Sequence, residues 1–417
     1  MKINMKFGMG VILAAMLLVS MAFVPAVSAQ SGLPNKDQYV NSTNDVSIED
    51  AEAVASYYVR YIPSFMENFQ GWQEATVEQS EVYYDLDGKK SAYAFNVIEN
   101  GQYAGYILVS ATKDNYPILE FSKGKTPNAI AELTTRSETM AKERANKNKL
   151  SIGKARPLYL GATFYYKEYP LIDAHGKTVD SVVVDLTAPS IVDFTELQME
   201  IPIGEGDLLQ QQQMKKEEAS VQWDALEERM LMESTTTEST LSGSLGYIYD
   251  VPNYLWHVGC SPTAAAMVLG YWDIHGYPNI LLSSDEKPLI EELAAAMETS
   301  DWPRPDGGTW PWDIDNGIET VCKNHGYSNF DASNDYYVSW NEVKTEVDGN
   351  RPFVINMLQG GTGSGYSQPY GDHRVTCIGY SDGTEDYVFI HDTWDTENHH
   401  YIAFGNWWGA MATWVRP

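Results

Sequence analysis

The feature that most constrains this chain is the segment Gly259-Cys260-Ser261-Pro262 followed by Thr263-Ala264-Ala265-Ala266-Met267-Val268-Leu269. Pro262 suits a first helical turn, where its missing N–H costs nothing, and the small and apolar residues behind it propagate a helix. Gly276 and Pro278 close that helix. A helix apolar on every side has to be buried, so it needs a sheet or other helices around it. Cys260 then stands at a helix N-terminus, where unpaired N–H groups and the helix dipole favour the reactive thiolate.

The rest of the cysteine usage agrees. The chain has three cysteines, Cys260, Cys322 and Cys377, too few and too odd in number for a disulfide-stapled exported domain. The chain nevertheless begins as an exported one. Lys2 and Lys6 precede the apolar stretch Val11 to Val24, and Val27-Ser28-Ala29 offers small residues for a signal peptidase. Residues 1–29 therefore read as a signal peptide, and the mature protein as secreted or cell-surface exposed, with no stable membrane insertion after cleavage. The net charge is −29, and −31 once Lys2 and Lys6 are removed, which argues against nucleic acid and anionic membranes as partners.

Residues 30–205 read as an α+β unit. Ser47 caps a helix that runs through Ala51, Val54, Ala55 and Tyr58, with Glu49 and Asp50 in its first turn. Alternating stretches then predict strands at 82–84, 91–97, 105–110, 118–121, 162–166 and 181–185, with a charged helix near 132–149. Residues 206–244 form a polar helical run and a Ser/Thr-rich linker, exposed enough to be cut. A further domain spans 245–417.

In that last region Gly371 to Tyr380 reads as a strand carrying His373, with Tyr387 to Ile390 as the return strand. A two-residue loop at Asp382-Gly383 places His373 across from Asp392, and a carboxylate beside an imidazole fixes its tautomer. Nucleophile, base and orienting acid are then Cys260, His373 and Asp392. His391 and the pair His399-His400 show no metal-ligand spacing, and the paired histidines read as solvated; His275 reads as a helix-end residue. Neither metal nor cofactor is expected. Cys322 and Cys377 read as core.

These residues carry a family resemblance. The segment around Cys260, the Gly371-Asp372-His373 strand and Asp392-Thr393-Trp394 resemble the papain-like cysteine peptidase superfamily, and in it the bacteriocin-leader (double-glycine) peptidase-like branch. Cys260 to Ala266 with Gly276-Tyr277-Pro278 is also similar to streptopain-like peptidases, and Tyr93 to Asn96, Gly105 to Ser110 and Pro117 to Leu119 resemble their propeptide. The resemblance implies an α+β fold: a papain-like domain, with the nucleophile helix on an antiparallel sheet, preceded by an α+β prosegment. It implies a cysteine peptidase acting on peptides or proteins, made as a zymogen whose own prosegment inhibits it. Two other classes share these residues, a transglutaminase-like acyl transferase and a degenerate surface-binding protein. One departure is specific. Such families place a Gln about six residues before the Cys as oxyanion donor, and here that position is Tyr254, with Asn253 beside it as the candidate amide.

Overall fold

The structure is a computed structural model that describes residues 44–188, 190–194, 205–233, 243–300, 308–360 and 371–417. Residues 1–29, read above as a signal peptide, and most of the Ser/Thr-rich linker lie outside the described residues. Everything described falls within one compact unit, Thr43–Pro417.

Its helices are α1 (Ile48–Tyr61), α2 (Ala131–Lys147), α3 (Glu205–Glu233), α4 (Cys260–Ile274), α5 (Lys287–Ala296), α6 (Ile314–Asn324) and α7 (Trp340–Asp348). The strands are β1 (Thr76–Tyr84), β2 (Lys90–Glu99), β3 (Gln102–Ser110), β4 (Ile118–Ser122), β5 (Ser151–Ile152), β6 (Arg156–Tyr159), β7 (Tyr165–Ile172), β8 (Thr178–Asp185) and β9 (Ser190–Val192). They continue with β10 (Ser244–Tyr247), β11 (Asp331–Asp335), β12 (Phe353–Gln359), β13 (Gly371–Asp382), β14 (Tyr387–His391), β15 (His400–Ala403) and β16 (Gly409–Arg416). The α+β class expected from the sequence is the one observed.

The local reasons are those of the sequence. Ser47 caps α1 by accepting from the Asp50 N–H at 3.1 Å. Ser339 and Glu342 form a full capping box at α7. Helix α4 is buried along most of its length, as its composition requires. It packs on β12 and β13 on one side and on α5 and α6 on the other.

One sheet joins the sequence-distant halves. Its order is β11-β16-β12-β13-β14-β15-β4-β3-β2-β1-β6-β7-β8-β9, antiparallel apart from the contact of β1 with β6. The link is β15 against β4, with Tyr401 opposite Phe121. Their rings stack at 4.9 Å and 3°, and Phe69 and Tyr387 close on Phe121 edge-on. Helix α3 bridges the same halves. Trp223 donates its indole N–H to Asn115 O at 2.9 Å, while Gln212 reaches Trp408 O and Arg229 pairs with Glu385, both at 2.5 Å.

The expected hairpin register needs correction. Ser381 pairs with Tyr387, so the loop holds five residues, Asp382 to Asp386, rather than two. A bulge between Cys377 and Gly379 then shifts the register once more, bringing Thr376 opposite His391.

Phe121→Ala is expected to cost about 3–5 kcal/mol, the usual loss for a buried aromatic. Hydrogen exchange checks it, since β3–β4 and β14–β15 should lose protection together.

Candidate active site

The loop before the nucleophile is stitched to its helix. Thr263 Oγ1 sits 2.7 Å from Gly259 O and accepts from the His257 N–H at 3.1 Å. Gly259 N donates to His257 O at 2.8 Å, and Val258 takes a left-handed φ of 53° to make the turn. The chain thus enters α4 abruptly and Cys260 occupies its first position, with the N–H groups of the first turn uncapped by any side chain.

Thr376 of β13 donates to Ala264 O at 2.9 Å, tying the strand to the helix. Three residues earlier on that strand, His373 stands beside the Cys260 thiol, close enough for each to act on the other's charge. Its Nε2 faces the backbone carbonyl of Asp392 at 3.4 Å. A carbonyl only accepts, so Nε2 carries the proton and Nδ1 is left for the thiol. The Trp394 ring lies 6.0 Å from the imidazole.

The electrostatics follow from this contact. Burial by itself raises the Cys260 thiol, but the proximity and charge of His373, with the Arg374 guanidinium behind them, outweigh it and bring the group down to about 6. Burial pulls the His373 imidazole down, and the thiolate, with Asp185 and the Asp392 carbonyl, lifts it above its ordinary value. Each group holds the other in its charged form. Arg374 is itself buried in an ion pair with Asp372 at 2.5 Å. Cys322 and Cys377, as expected, are core: burial pushes both up to about 12.

Of the residues singled out from sequence, the structure joins Cys260 and His373 directly. Asp392 is adjacent through its backbone only. Its carboxylate turns away, Oδ1 accepting from the N–H groups of Trp394 and Asp395 at 2.9 Å and Oδ2 pairing with His400 Nε2 at 2.7 Å. Asn253 donates its amide to Asn398 O at 3.4 Å. Tyr254 directs its hydroxyl toward Gly270, in the C-terminal half of α4. The indole N–H of Trp256 is buried without a partner, and its backbone N–H is fixed on Thr393 O at 2.7 Å.

Of the pair expected to be solvated, His400 is buried and His399 half-buried, because β15, which His400 opens, is an interior strand of the sheet. His391 Nδ1 donates to Pro252 O at 2.9 Å, leaving its Nε2 to accept from His399 Nδ1 at 3.0 Å. His399 Nε2 meets the Tyr247 hydroxyl at 2.9 Å. Burial and neighbouring histidine charge pull His391 down to about 3 and lower His399. Among the described residues no cluster of three or more ligand-type side chains fits a metal ion.

The N-terminal half packs against the segments beside this site. Tyr166 donates to Gln359 Oε1 at 2.6 Å, Thr163 to Met357 Sδ at 3.8 Å, and Ala162 N to Asn406 O at 2.8 Å. Cys260 is left 5% exposed and His373 2%.

Residues 248–414 match the model of the Peptidase_C39 like family. This part of the chain is a C39-like cysteine peptidase domain. The matched span takes in Cys260, His373 and Asp392. No curated protein matches the chain. Among solved structures the chain is similar to a fragment of prointerpain A from Prevotella intermedia, at 13% identity and a TM-score of 0.34, covering 82% of this chain and 98% of that one. So loose a likeness carries no argument about this chain.

The thiolate absorbance of Cys260, taken as the difference from Cys260→Ser at 240 nm, is expected to appear with a midpoint near pH 6. In His373→Ala the midpoint should climb to the alkaline side, since burial remains and its counterweight is gone. A midpoint unmoved by His373→Ala contradicts the pair.

Proposed function

We propose that the chain is a secreted cysteine peptidase made as a zymogen, with Cys260 as nucleophile, His373 as base and acid, and Asp392 as the residue that orients His373. The observation that carries the reading is the buried Cys260–His373 contact at the start of α4, which lowers the thiol to about 6. A helix-end cysteine with no catalytic task has no need of that environment, which also disfavours a degenerate binding protein.

In the reaction the Cys260 thiolate attacks the scissile carbonyl, and the carbonyl electron pair moves onto oxygen. The Cys260 backbone N–H at the helix start is one donor to that oxyanion, with Asn253 or Trp256 as the side-chain donor. Collapse of the intermediate expels the amine, which takes its proton from the His373 imidazolium. Water then attacks the thioester, giving its proton to His373, and releases the acid with the thiolate restored. The N-terminal half, packed beside the pair, excludes substrate. Activation then requires a cut between Gly204 and Gly246 and displacement of that half. Export rests on the leader at 1–29.

The wild-type chain, incubated alone, is expected to yield a C-terminal fragment starting between Gly204 and Gly246, by mass spectrometry. Cys260→Ala and His373→Ala should stay full length, with Asp392→Ala slower than wild type. Asn253→Ala and Trp256→Phe separate the two candidate donors: loss of the true one lowers kcat about 10²–10³-fold with KM nearly unchanged. A mature protein that starts near Gln30 and is fully active rules out the zymogen while leaving the peptidase.

A further inference from the structure

The acid of the proposed triad is occupied elsewhere, and what occupies it is anchored in the N-terminal half. Asp392 Oδ2 pairs with His400 Nε2 at 2.7 Å. His400 Nδ1 lies 2.8 Å from the Tyr106 hydroxyl on β3, which donates to Glu120 Oε1 on β4 at 3.1 Å. All four side chains are buried, His400 at 1% exposure. The order of protons is consistent along the chain: a doubly protonated His400 faces Asp392 Oδ2 as an ion pair, without the alignment of a hydrogen bond, and donates to the Tyr106 oxygen, while Tyr106 donates onward to Glu120.

Meanwhile His373 Nε2 meets the Asp392 carbonyl at 3.4 Å, at the long limit for a hydrogen bond. We propose that His400 is a positioning residue which, held by Tyr106 and Glu120, keeps the Asp392 carboxylate away from His373, so that departure of the N-terminal half lets that carboxylate turn onto His373 Nε2. The inference rests on the zymogen reading and says how latency is enforced at the base as well as by covering the thiol. A buried ion pair is weak evidence for stability, and its better-attested use is to select one arrangement.

The coupling is physical rather than distant. Strand β15 pairs with β4, His400 standing opposite Ser122, so Tyr106 and Glu120 leave together with the N-terminal half. His400 then turns its Nδ1–H to water, and a solvated ion pair holds Asp392 far less firmly. The groups facing His400 are Asp392, Asp395 at 3.8 Å, Tyr106, Glu120 and the neutral His391–His399 pair. Burial lowers His400, but the carboxylates, Asp392 first, lift it to about 10. Glu120, raised by burial to about 7, is the weak end of the relay.

Two measurements on the full-length chain test this. In Cys260→Ala, the His400 imidazole is followed by nitrogen-15 NMR. It should remain protonated at pH 8, and Asp392→Asn, which removes the first of the carboxylates that lift it, should bring its titration down toward the ordinary histidine range; a His400 that already titrates there with Asp392 present overturns the relay. In the chain with Cys260 intact, Tyr106→Phe should speed cleavage of the 204–246 segment about fivefold, roughly the factor that one lost hydrogen bond is worth. Tyr165→Phe, which removes another buried hydroxyl of the same cluster but one without a partner, should leave the rate unchanged. Equal rates for Tyr106→Phe and wild type, both folded, overturn the proposal. So does a His400→Gln chain that stops processing as Asp392→Ala slows it, for His400 would then support the acid instead of withholding it. If wild type is never cut and Cys260 ignores iodoacetamide, the peptidase reading falls, and the relay is decided by the NMR titration alone.

Discussion

The pairing of β4 with β15 is the constraint on which the rest of the molecule depends. It makes one sheet of segments that lie far apart in sequence, and it buries Phe121 against Tyr401 at their meeting. Separating the halves strips partners from two strands at once and leaves open edges, which proteins avoid presenting to solvent. Helix α3 adds polar ties to each side of the junction. A chain break in the linker alone therefore leaves the two halves together. Under the zymogen reading proposed above, release needs the sheet itself to part, which would set a threshold between cutting and activation.

The same burial that seals the site sharpens its electrostatics. All three thiols are buried, yet two are pushed up to about 12 and the third is drawn down to about 6. The difference is the charged partner. In a poorly screened interior an imidazolium beside a thiolate is worth more than the same pair in water, provided both charges are satisfied. The partner thus favours the Cys260 thiolate even though the group is buried.

What was legible in the sequence is what depends on local periodicity. Pro262 and the apolar residues after it fix α4, Ser47 fixes the start of α1, and alternation fixes the end of β1 and most of β2 to β4 and β13. Strand β7 begins three residues later than expected, at Tyr165, because Thr163 takes a left-handed φ of 67° in the turn before it. What was not legible depends on partners distant in the chain. Two adjacent histidines, His399 and His400, look like a polar surface pair until β4 is known to lie beside them. Glu120 and Tyr106 look like ordinary strand residues until His400 arrives from the far end of the chain. No spacing rule relates them, because sheet order is decided by which edges find each other.

The bulge at Ile378 shows how much a single residue decides. Without it and the longer loop, His373 and Asp392 would lie directly across β13 and β14, sharing a face with Cβ atoms close together. The observed register instead pairs Thr376 with His391, and β14 ends there. Asp392 then begins the turn beyond the strand, where its Oδ1 is committed to the N–H groups of Trp394 and Asp395 and Thr393 adopts a left-handed φ of 77°. From a turn, a carboxylate has a choice of direction that it lacks on a strand. The site thus acquires an acid able to serve either His373 or His400, and the neighbouring strands decide which histidine it serves.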